Sequence, residues 1–425
     1  MLILRANFMT ETSVERYMFL FQPNRLTLGL ALIGWCGLAH AAGFALVEQN
    51  ASGLGNAYAG QAAVAADAST IFFNPAGMTL LPDSQVVIAG HLIKPQAEFS
   101  GSSNIGGGNG GDAGDLAFVP NAYFAFRLTP DVHVGVGMNA PFGLKTEYDS
   151  TWAGRTQAIE SELKTINLNP AIAWKANESL SLGAGVNIQY TEATLSNSAN
   201  GAGIATVRGK DYGWGFNLGL LWQPGAATRI GLAYRSEVEY TLKGDVVFSV
   251  ATPANGGVTA AATLPDSAAL SLFHKLGPKW DLLADVTWTD WSDFKELRIV
   301  RNGGVLLGVT EENWSDSYRY SVGANYRMND KLILRGGVAF DETPVSDVYR
   351  TARIPDENRT WLAFGAQYRL SGKRALDFGY AHLFVKDARI DKTELSNLPP
   401  LTPVTLSGTY KGSADILSAQ YTHSF

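Results

Sequence analysis

The sequence predicts an all-β fold: a 14-stranded antiparallel transmembrane β-barrel (residues 83–425) with an N-terminal hatch (residues 42–82) in its lumen. Composition is the first observation, since 46% of the 425 residues are hydrophobic and only 17% are charged, against about 25% charged in soluble proteins. The second is a two-residue alternation of apolar and small polar side chains that recurs along the chain. The third is the end of the chain, where this alternation runs up to a terminal aromatic residue, Phe425.

The first segment, residues 1–41, is predicted to be a secretory signal peptide. Residues 26–38 (LTLGLALIGWCGL) are apolar, and residues 39–41 (AHA) follow them as a small-x-small cleavage site. The apolar run is too short for a membrane anchor. We therefore expect the mature protein to begin at Ala42, without the single cysteine, Cys36. The sequence leaves three translation starts open: Met1, Met9 and Met18.

The hatch, residues 42–82, does not alternate. It is rich in alanine and glycine, contains helix-compatible stretches and leaves no room for a spanning strand. A compact segment of this kind before a barrel fits inside the lumen as a plug. Within it, Asn74-Pro75-Ala76 predicts a tight turn.

The barrel segments alternate over ten or more residues, as in 179–191, where Leu182, Val186 and Ile188 oppose Ser181, Asn187 and Gln189. Period two places these sets on opposite faces of a strand, and a tilted strand crosses a bilayer in about 9–11 residues. Short turns alternate with long loops, which is typical of outer-membrane barrels. The pattern predicts fourteen strands: 84–99, 116–128, 132–148, 160–176, 179–194, 211–223, 229–247, 266–276, 280–301, 314–328, 332–343, 349–370, 374–390 and 405–425.

The third strand contains a proline, which a continuous wall of paired strands does not tolerate. Pro141 lies in residues 134–144 (VGVGMNAPFGL), which otherwise reads as a spanning strand. Proline cannot donate to the strand ladder, and an unpaired backbone group costs several kcal/mol against lipid. Asn139, Pro141 and Gly143 therefore predict a kink or bulge that faces protein or solvent.

Other classes of protein fit poorly. A net charge of −6 argues against nucleic acid, because a binder needs a basic face. No stretch after residue 41 reaches the roughly 20 apolar residues of a spanning helix. The histidines are isolated, and no nucleophile elbow, metalloprotease motif or readable carboxylate pair occurs. We therefore expect no enzyme, no metal and no cofactor; an active site assembled from distant strands stays open as an alternative.

Several segments resemble one known family, the FadL/TodX-type outer-membrane transporters of long-chain fatty acids and other hydrophobic compounds. The resemblance covers essentially all of residues 42–425. Its fold, a fourteen-stranded barrel closed by an N-terminal hatch, agrees with the strand count above. The matching segments are 52–60 (SGLGNAYAG), 74–76 (NPA), 119–121 (VPN), 234–238 (YRSEV), 340–345 (FDETPV) and 354–356 (IPD).

The resemblance also implies the site. It places the mature N-terminus, Gly43 and Phe44, in a ligand pocket and makes Asn74, Pro75 and Ala76 a hatch signature. It turns the kink at Asn139, Pro141, Phe142 and Gly143 into a lateral gap through which ligand leaves, although a purely structural bulge stays open. The family's basic pocket residues have no clear counterparts, since Ser315 stands where lysine is expected. Inward-reading bases that could substitute are Arg235, Lys243, Arg319 and Arg335.

The resulting expectation is a passive transporter in the outer membrane of a Gram-negative bacterium. Its ligand would be a hydrophobic small molecule, most simply a long-chain fatty acid, with neutral aromatic hydrocarbons as the alternative. A general hydrophilic porin and a purely structural or adhesive barrel are the other open readings. We expect a monomer that contacts outer-membrane lipid and no nucleic acid.

Overall fold

The computed structural model describes residues 43–82, 84–199, 202–395 and 402–425. The predicted signal peptide, residues 1–41, and Ala42 lie outside these ranges. Among the described residues, no helix is long and apolar enough to span a membrane.

The barrel consists of fourteen antiparallel strands, as the sequence predicts. Each strand pairs with the next, and β14 closes the barrel on β1 over a register from Gln85↔Ser424 to Ser103↔Leu406. Six strands are interrupted and have two segments. The strands are β1 Gln85–Ser103, β2 Ala117–Arg127, β3 Val132–Asn139 and Gly143–Glu147, β4 Glu160–Asn177, β5 Leu180–Ala199, β6 Gly203–Gly225, β7 Thr228–Arg235 and Val238–Phe248, β8 Gly256–Leu264 and Ser267–Leu276, β9 Trp280–Thr289 and Glu296–Arg301, β10 Leu306–Glu311 and Ser317–Arg327, β11 Leu332–Asp341, β12 Arg359–Ser371, β13 Arg374–Val385 and Ala388–Leu395, and β14 Pro403–Ser424.

The two faces of the wall follow the alternation of the sequence. On β5, Val186 and Ile188 are each 47% exposed on the outer surface, whereas the alternating residues Asn187 and Gln189 are buried inside. Removing apolar surface from water gains about 25 cal/mol per Å². Outward apolar side chains are therefore favourable only where lipid replaces water around them. The outer surface is therefore the membrane face. Near the short-turn rim it carries aromatic pairs, such as Trp280 and Tyr326 with ring centroids 4.7 Å apart, as expected for an interfacial girdle.

Residues 43–82 lie inside this barrel as short helices, α1 Ala51–Leu54, α2 Gln61–Val64 and α3 Thr70–Phe73, followed by a 3₁₀ helix, Pro75–Leu80. Hydrogen bonds tie the hatch to the wall all around its circumference. Gln420 accepts from the Ala51 amide at 3.0 Å, and Ser271 accepts from the Ala62 amide at 3.1 Å. Buried backbone groups that helices this short leave unpaired are satisfied in this way.

Glycines in the wall allow the hatch to touch the strands. A Cβ atom on Gly365 of β12 would lie 2.8 Å from the Cα of Gly55, closer than real Cβ contacts come. The same overlap with hatch atoms would occur at several other wall positions. These wall glycines are Gly183, Gly219, Gly231, Gly337 and Gly365.

Several predicted strand boundaries are wrong, since Gly256–Leu264 and Leu306–Glu311 are strands that the prediction leaves as loop. Two further errors show the cause. Residues 195–210, which lie between the fifth and sixth predicted strands, are largely strand, because β5 and β6 pair up to Ala199↔Gly203. The predicted twelfth strand begins at 349, whereas β12 begins at Arg359 and residues 349–358 form a buried loop. Both errors arise above the membrane. There neither strand face meets lipid, so alternation no longer separates strand from loop.

Candidate functional site

The wall is interrupted at β3. This strand breaks at residues 140–142, and only its first segment pairs with β2, from Arg127↔His133 to Ala122↔Met138. Beyond that point residues 117–121 of β2 pair with β1 alone, and the second segment of β3 pairs with β4 alone. The predicted kink around Pro141 is therefore present. It leaves a gap between β2 and β3, defined by residues 117–121 on one side and 140–147 on the other.

The hatch covers this gap from inside. Ala45 forms an antiparallel bridge with Phe142. The Leu46 amide donates to the Pro141 carbonyl at 2.8 Å, and the Gly143 amide donates to the Phe44 carbonyl at 3.0 Å. Residues 44–46 thus act as the neighbouring strand that β2 does not supply, which satisfies backbone groups at the kink.

Phe44 anchors this segment in an aromatic cluster. Its ring centroid lies 4.7 Å from Trp291 and 5.7 Å from Trp314. Phe142 and Phe294 each lie 6.2 Å away, both edge-on. Edge-to-face pairs at these distances add about 0.5–1.5 kcal/mol each beyond burial. Trp291 is completely buried and Phe44 is 8% exposed.

Gly43 is held by polar contacts with the loop before β12. Its amide donates to Asp356 Oδ2 at 3.2 Å, and its carbonyl accepts from Arg359 Nη2 at 2.9 Å. Arg359 also pairs with Asp356 at 2.7 Å, so both partners are fixed. Gly43 has a φ of +61°, and a side chain there would meet Trp314 at 2.8 Å. This position therefore requires glycine.

A cavity of about 810 Å³ opens beside the hatch N-terminus. Phe44, Phe72, Phe73 and Pro75 line it from the hatch. It reaches the gap and includes residues of the outer face there. The outer-face residues that line it are Leu116, Phe118, Met138 and Ile166, all exposed on the membrane side. The cavity therefore extends from the hatch to outer-face residues that flank the gap.

Two of the candidate bases line the cavity. The Arg235 guanidinium stacks 4.2 Å above the Phe72 ring and donates to the Phe72 carbonyl at 3.0 Å. Arg319 lies 5.0 Å above the Trp361 ring and donates to the Ala57 carbonyl, and its Nε has no hydrogen-bond partner among the described residues. The arginine ion pairs found in the described ranges involve other guanidinium groups.

Arg335 does not line the cavity. It forms a buried ion pair with Asp377, and its Cβ lies against Gly55 of the hatch. Removing one partner of a buried pair leaves the other charge uncompensated. This geometry favours a structural role for Arg335 over ligand contact.

Glu48 is a cavity residue that the sequence does not single out. The side chain is 5% exposed, and burial raises its pKa to about 7, against the opposing effects of a backbone hydrogen bond and of the charges of Arg359 and Arg319. Its carboxyl group is therefore protonated more readily than that of an exposed glutamate. Trp291, Trp314 and Arg359 were also missed, because their importance depends on contacts with residue 43 or 44, hundreds of residues away in sequence.

Asn74-Pro75-Ala76 forms the turn that the sequence predicts. Asn74 caps the following 3₁₀ helix by accepting from the Ala76 amide at 3.1 Å, and it donates to the Leu220 carbonyl of β6 at 3.0 Å. The turn packs where Gly183 and Gly219 leave room in the wall. It therefore fixes the lower hatch to β5 and β6, while Pro75 faces the cavity. No group of residues suited to bind a metal ion occurs within the described ranges.

The chain resembles known proteins over most of its length. The family model of outer membrane protein transport proteins (OMPP1/FadL/TodX) matches residues 32–425. Outer membrane protein P1 of Haemophilus influenzae strain Rd is 33% identical, over 91% of this chain and 95% of that protein. The long-chain fatty acid transport protein of Escherichia coli K12 is 30% identical, over 88% and 94%.

Solved structures share the fold. A Pseudomonas aeruginosa FadL homologue superposes with a TM-score of 0.84 at 24% identity, over 90% of this chain and all of that one. The Pseudomonas putida toluene transporter TodX gives 0.65 at 18% identity, over 84% and 94%. Together with the family match, these findings locate the protein in the outer membrane of a Gram-negative bacterium. The chain therefore belongs to the OMPP1/FadL/TodX family of outer membrane transport proteins.

Proposed function

We propose that this protein moves hydrophobic small molecules inward across the outer membrane by passive diffusion, with long-chain fatty acids as its ligands. The observation that carries the proposal is the cavity, which joins the aromatic cluster around Phe44 to the lipid face at the gap. A ligand bound there can leave sideways into the bilayer. Its apolar chain then never crosses a water-filled lumen, where each exposed methylene would cost about 0.8 kcal/mol.

Two guanidinium groups in the cavity favour a carboxylate ligand. Arg235 and Arg319 present guanidinium groups whose hydrogen bonds among the described residues go to carbonyl and amide oxygens. A guanidinium binds a carboxylate through short, charge-assisted hydrogen bonds. The relative named a long-chain fatty acid transport protein points the same way.

Neutral aromatic hydrocarbons are the second candidate. The cluster of Phe44, Phe142, Trp291 and Trp314 offers ring edges and faces that suit a small aromatic molecule. Toluene transporters are among the proteins that share this fold.

Binding of oleate and of toluene to the purified protein distinguishes the candidates. Arg319→Met should weaken oleate binding about 10- to 100-fold, since a charged hydrogen bond is worth about 1.5–3 kcal/mol, and should leave toluene binding unchanged. Arg229→Met is the matched control, because Arg229 also stacks on a ring, Phe273, but lies outside the cavity. Toluene binding without oleate binding would support the second candidate, and binding of neither would refute the proposal.

Lateral release has its own test. Pro141→Val supplies a backbone donor at the kink, so that β3 can pair with β2 and close the gap. We expect oleate uptake to fall in cells that lack their own transporter, with surface expression retained. Pro130→Val removes an exposed proline from the turn of the same hairpin and should transport normally. Uptake at the wild-type rate by a normally expressed Pro141→Val protein would exclude lateral release at this kink.

A further inference from the structure

A groove of about 390 Å³ lies on the outer, lipid-facing surface of the barrel beside the gap. Small outward residues of three neighbouring strands form its floor, because Gly90 of β1 pairs with Pro120 of β2 and with Ala419 of β14. Large side chains, five of them apolar and one a tyrosine, form its walls. The wall residues are Ile88, Phe118, Met138, Leu376, Phe378 and Tyr421.

The groove is continuous with the cavity. Phe118, Pro120 and Met138 line both spaces. The Phe118 ring lies across the start of the groove, since a Cβ on Gly90 would be 2.9 Å from it. The side chain is 63% exposed, so the lipid side leaves it room to turn away. A ligand that emerges at the gap therefore meets the groove first.

Among the described residues, the Tyr421 hydroxyl is the polar side-chain group that the groove offers to a head group. The other polar residues, Asn121 and Gln420, turn their side chains inward and are engaged by the hatch. Asn121 donates to the Glu48 carbonyl at 2.9 Å, and Gln420 donates to Asp67 at 2.9 Å. What remains is an apolar trough within the size range of small-molecule sites, about 300–1,000 Å³.

We propose that this groove binds the alkyl chain of the transported ligand as it leaves the gap, before the ligand joins the bilayer. The inference rests on the proposed function. The chain leaves tail first, since the apolar end gains contacts in the groove while the carboxylate stays with the guanidinium groups of the cavity. The exposed glycine and alanines let methylenes approach the strand backbone closely, which maximises dispersion contacts.

Gly90→Leu tests the groove by filling its floor. The leucine displaces Phe118 and occupies the space, while the lumen side of β1 is untouched. We expect oleate uptake to fall about tenfold, because the leucine removes the dispersion contacts that hold the alkyl chain in the groove, while oleate still binds to the purified protein through the guanidinium groups of the cavity. Gly336→Leu is the matched control: Gly336 also lies in a strand, on β11, and a Cβ there meets no atom within 4 Å. Wild-type uptake by a surface-expressed Gly90→Leu protein would overturn the inference.

Photolabelling of the wild-type protein in nanodiscs gives a second readout that needs no variant to fold. The probe is a fatty acid with a diazirine at its terminal methylene, and cross-linked peptides are identified by mass spectrometry. Labelling of Ala122 and Ala419 well above that of Gly336 supports the groove, and equal labelling of all three overturns it. If Pro141→Val blocks uptake but the groove tests are negative, the groove alone is wrong. If the protein binds no oleate at all, both the groove and the proposed transport of fatty acids are wrong.

Discussion

Phe44→Ala should release the N-terminus of the hatch from the kink without unfolding the barrel. The ring packs on Trp291 at 4.7 Å and on Trp314 at 5.7 Å, and replacing a buried phenylalanine by alanine costs about 3–5 kcal/mol. The tethers that remain, two backbone hydrogen bonds to residues 141 and 143 and the contacts of Gly43, are worth about 0.5–1.5 kcal/mol each. Local opening should therefore become about 10²- to 10³-fold more frequent, at about 1.4 kcal/mol per decade.

Hydrogen exchange measures this opening directly. The amides of Leu46 and Gly143 donate the two hydrogen bonds between hatch and kink, so their protection should fall together in Phe44→Ala. Amides in the β1–β14 register should stay protected. Phe73→Ala is the control, because Phe73 is another cavity-lining hatch aromatic that packs on Tyr58 and Phe72 instead. Unchanged protection of Leu46 and Gly143 in Phe44→Ala would show that the aromatic cluster does not hold the hatch against the gap.

Three further predictions concern the hatch and its surroundings. Deleting residues 42–82 should convert a plugged barrel into an ion-conducting one in planar bilayers, and unchanged conductance would contradict the plug. Oleate should bind more tightly at pH 6 than at pH 8, because burial raises the pKa of Glu48 to about 7, so Glu48 is neutral below that pH and its charge competes for Arg319 above it. Glu48→Gln should flatten this dependence, and a variant that keeps the full pH profile would exclude Glu48 as its source. Mass spectrometry of the purified outer-membrane protein should find Ala42 at its N-terminus, and a retained leader would show that 1–41 is not a signal peptide.

The barrel could be predicted because the lipid imposes a regular pattern of apolar residues on the sequence. A strand such as β5 must place Val186 and Ile188 outward and polar side chains inward, and this requirement repeats in every spanning strand. The kink could be predicted as well, because Pro141 has no amide hydrogen to donate to a neighbouring strand of a closed barrel. These inferences need only local sequence and the properties of the bilayer.

The site was less predictable because it depends on contacts between distant residues. Asp356 contacts Gly43 across 313 positions, and no local pattern marks that pair. Arg319 and Arg335 both lie at inward positions of predicted strands, yet only Arg335 forms an ion pair with Asp377. The extracellular strand extensions were not predicted for another reason. Lipid contacts neither of their faces, and small residues such as Ala199 and Ala205 form their buried side, so the hydrophobic alternation fades where β5 and β6 leave the membrane.

The glycines where hatch meets wall bear on how such a barrel could be redesigned as an open channel. Glycine in a strand interior costs about 0.5–1 kcal/mol relative to alanine, and here the hatch fills the space that each missing side chain leaves. A barrel without its hatch would keep the destabilising glycines and lose the hatch contacts that offset them. Alanine at Gly183, Gly219, Gly231, Gly337 and Gly365 would collide with the hatch in the native protein, yet the same substitutions should strengthen a hatchless pore. The positions of the wall glycines thus follow the shape of the hatch, and a design that removes the hatch should also replace these glycines.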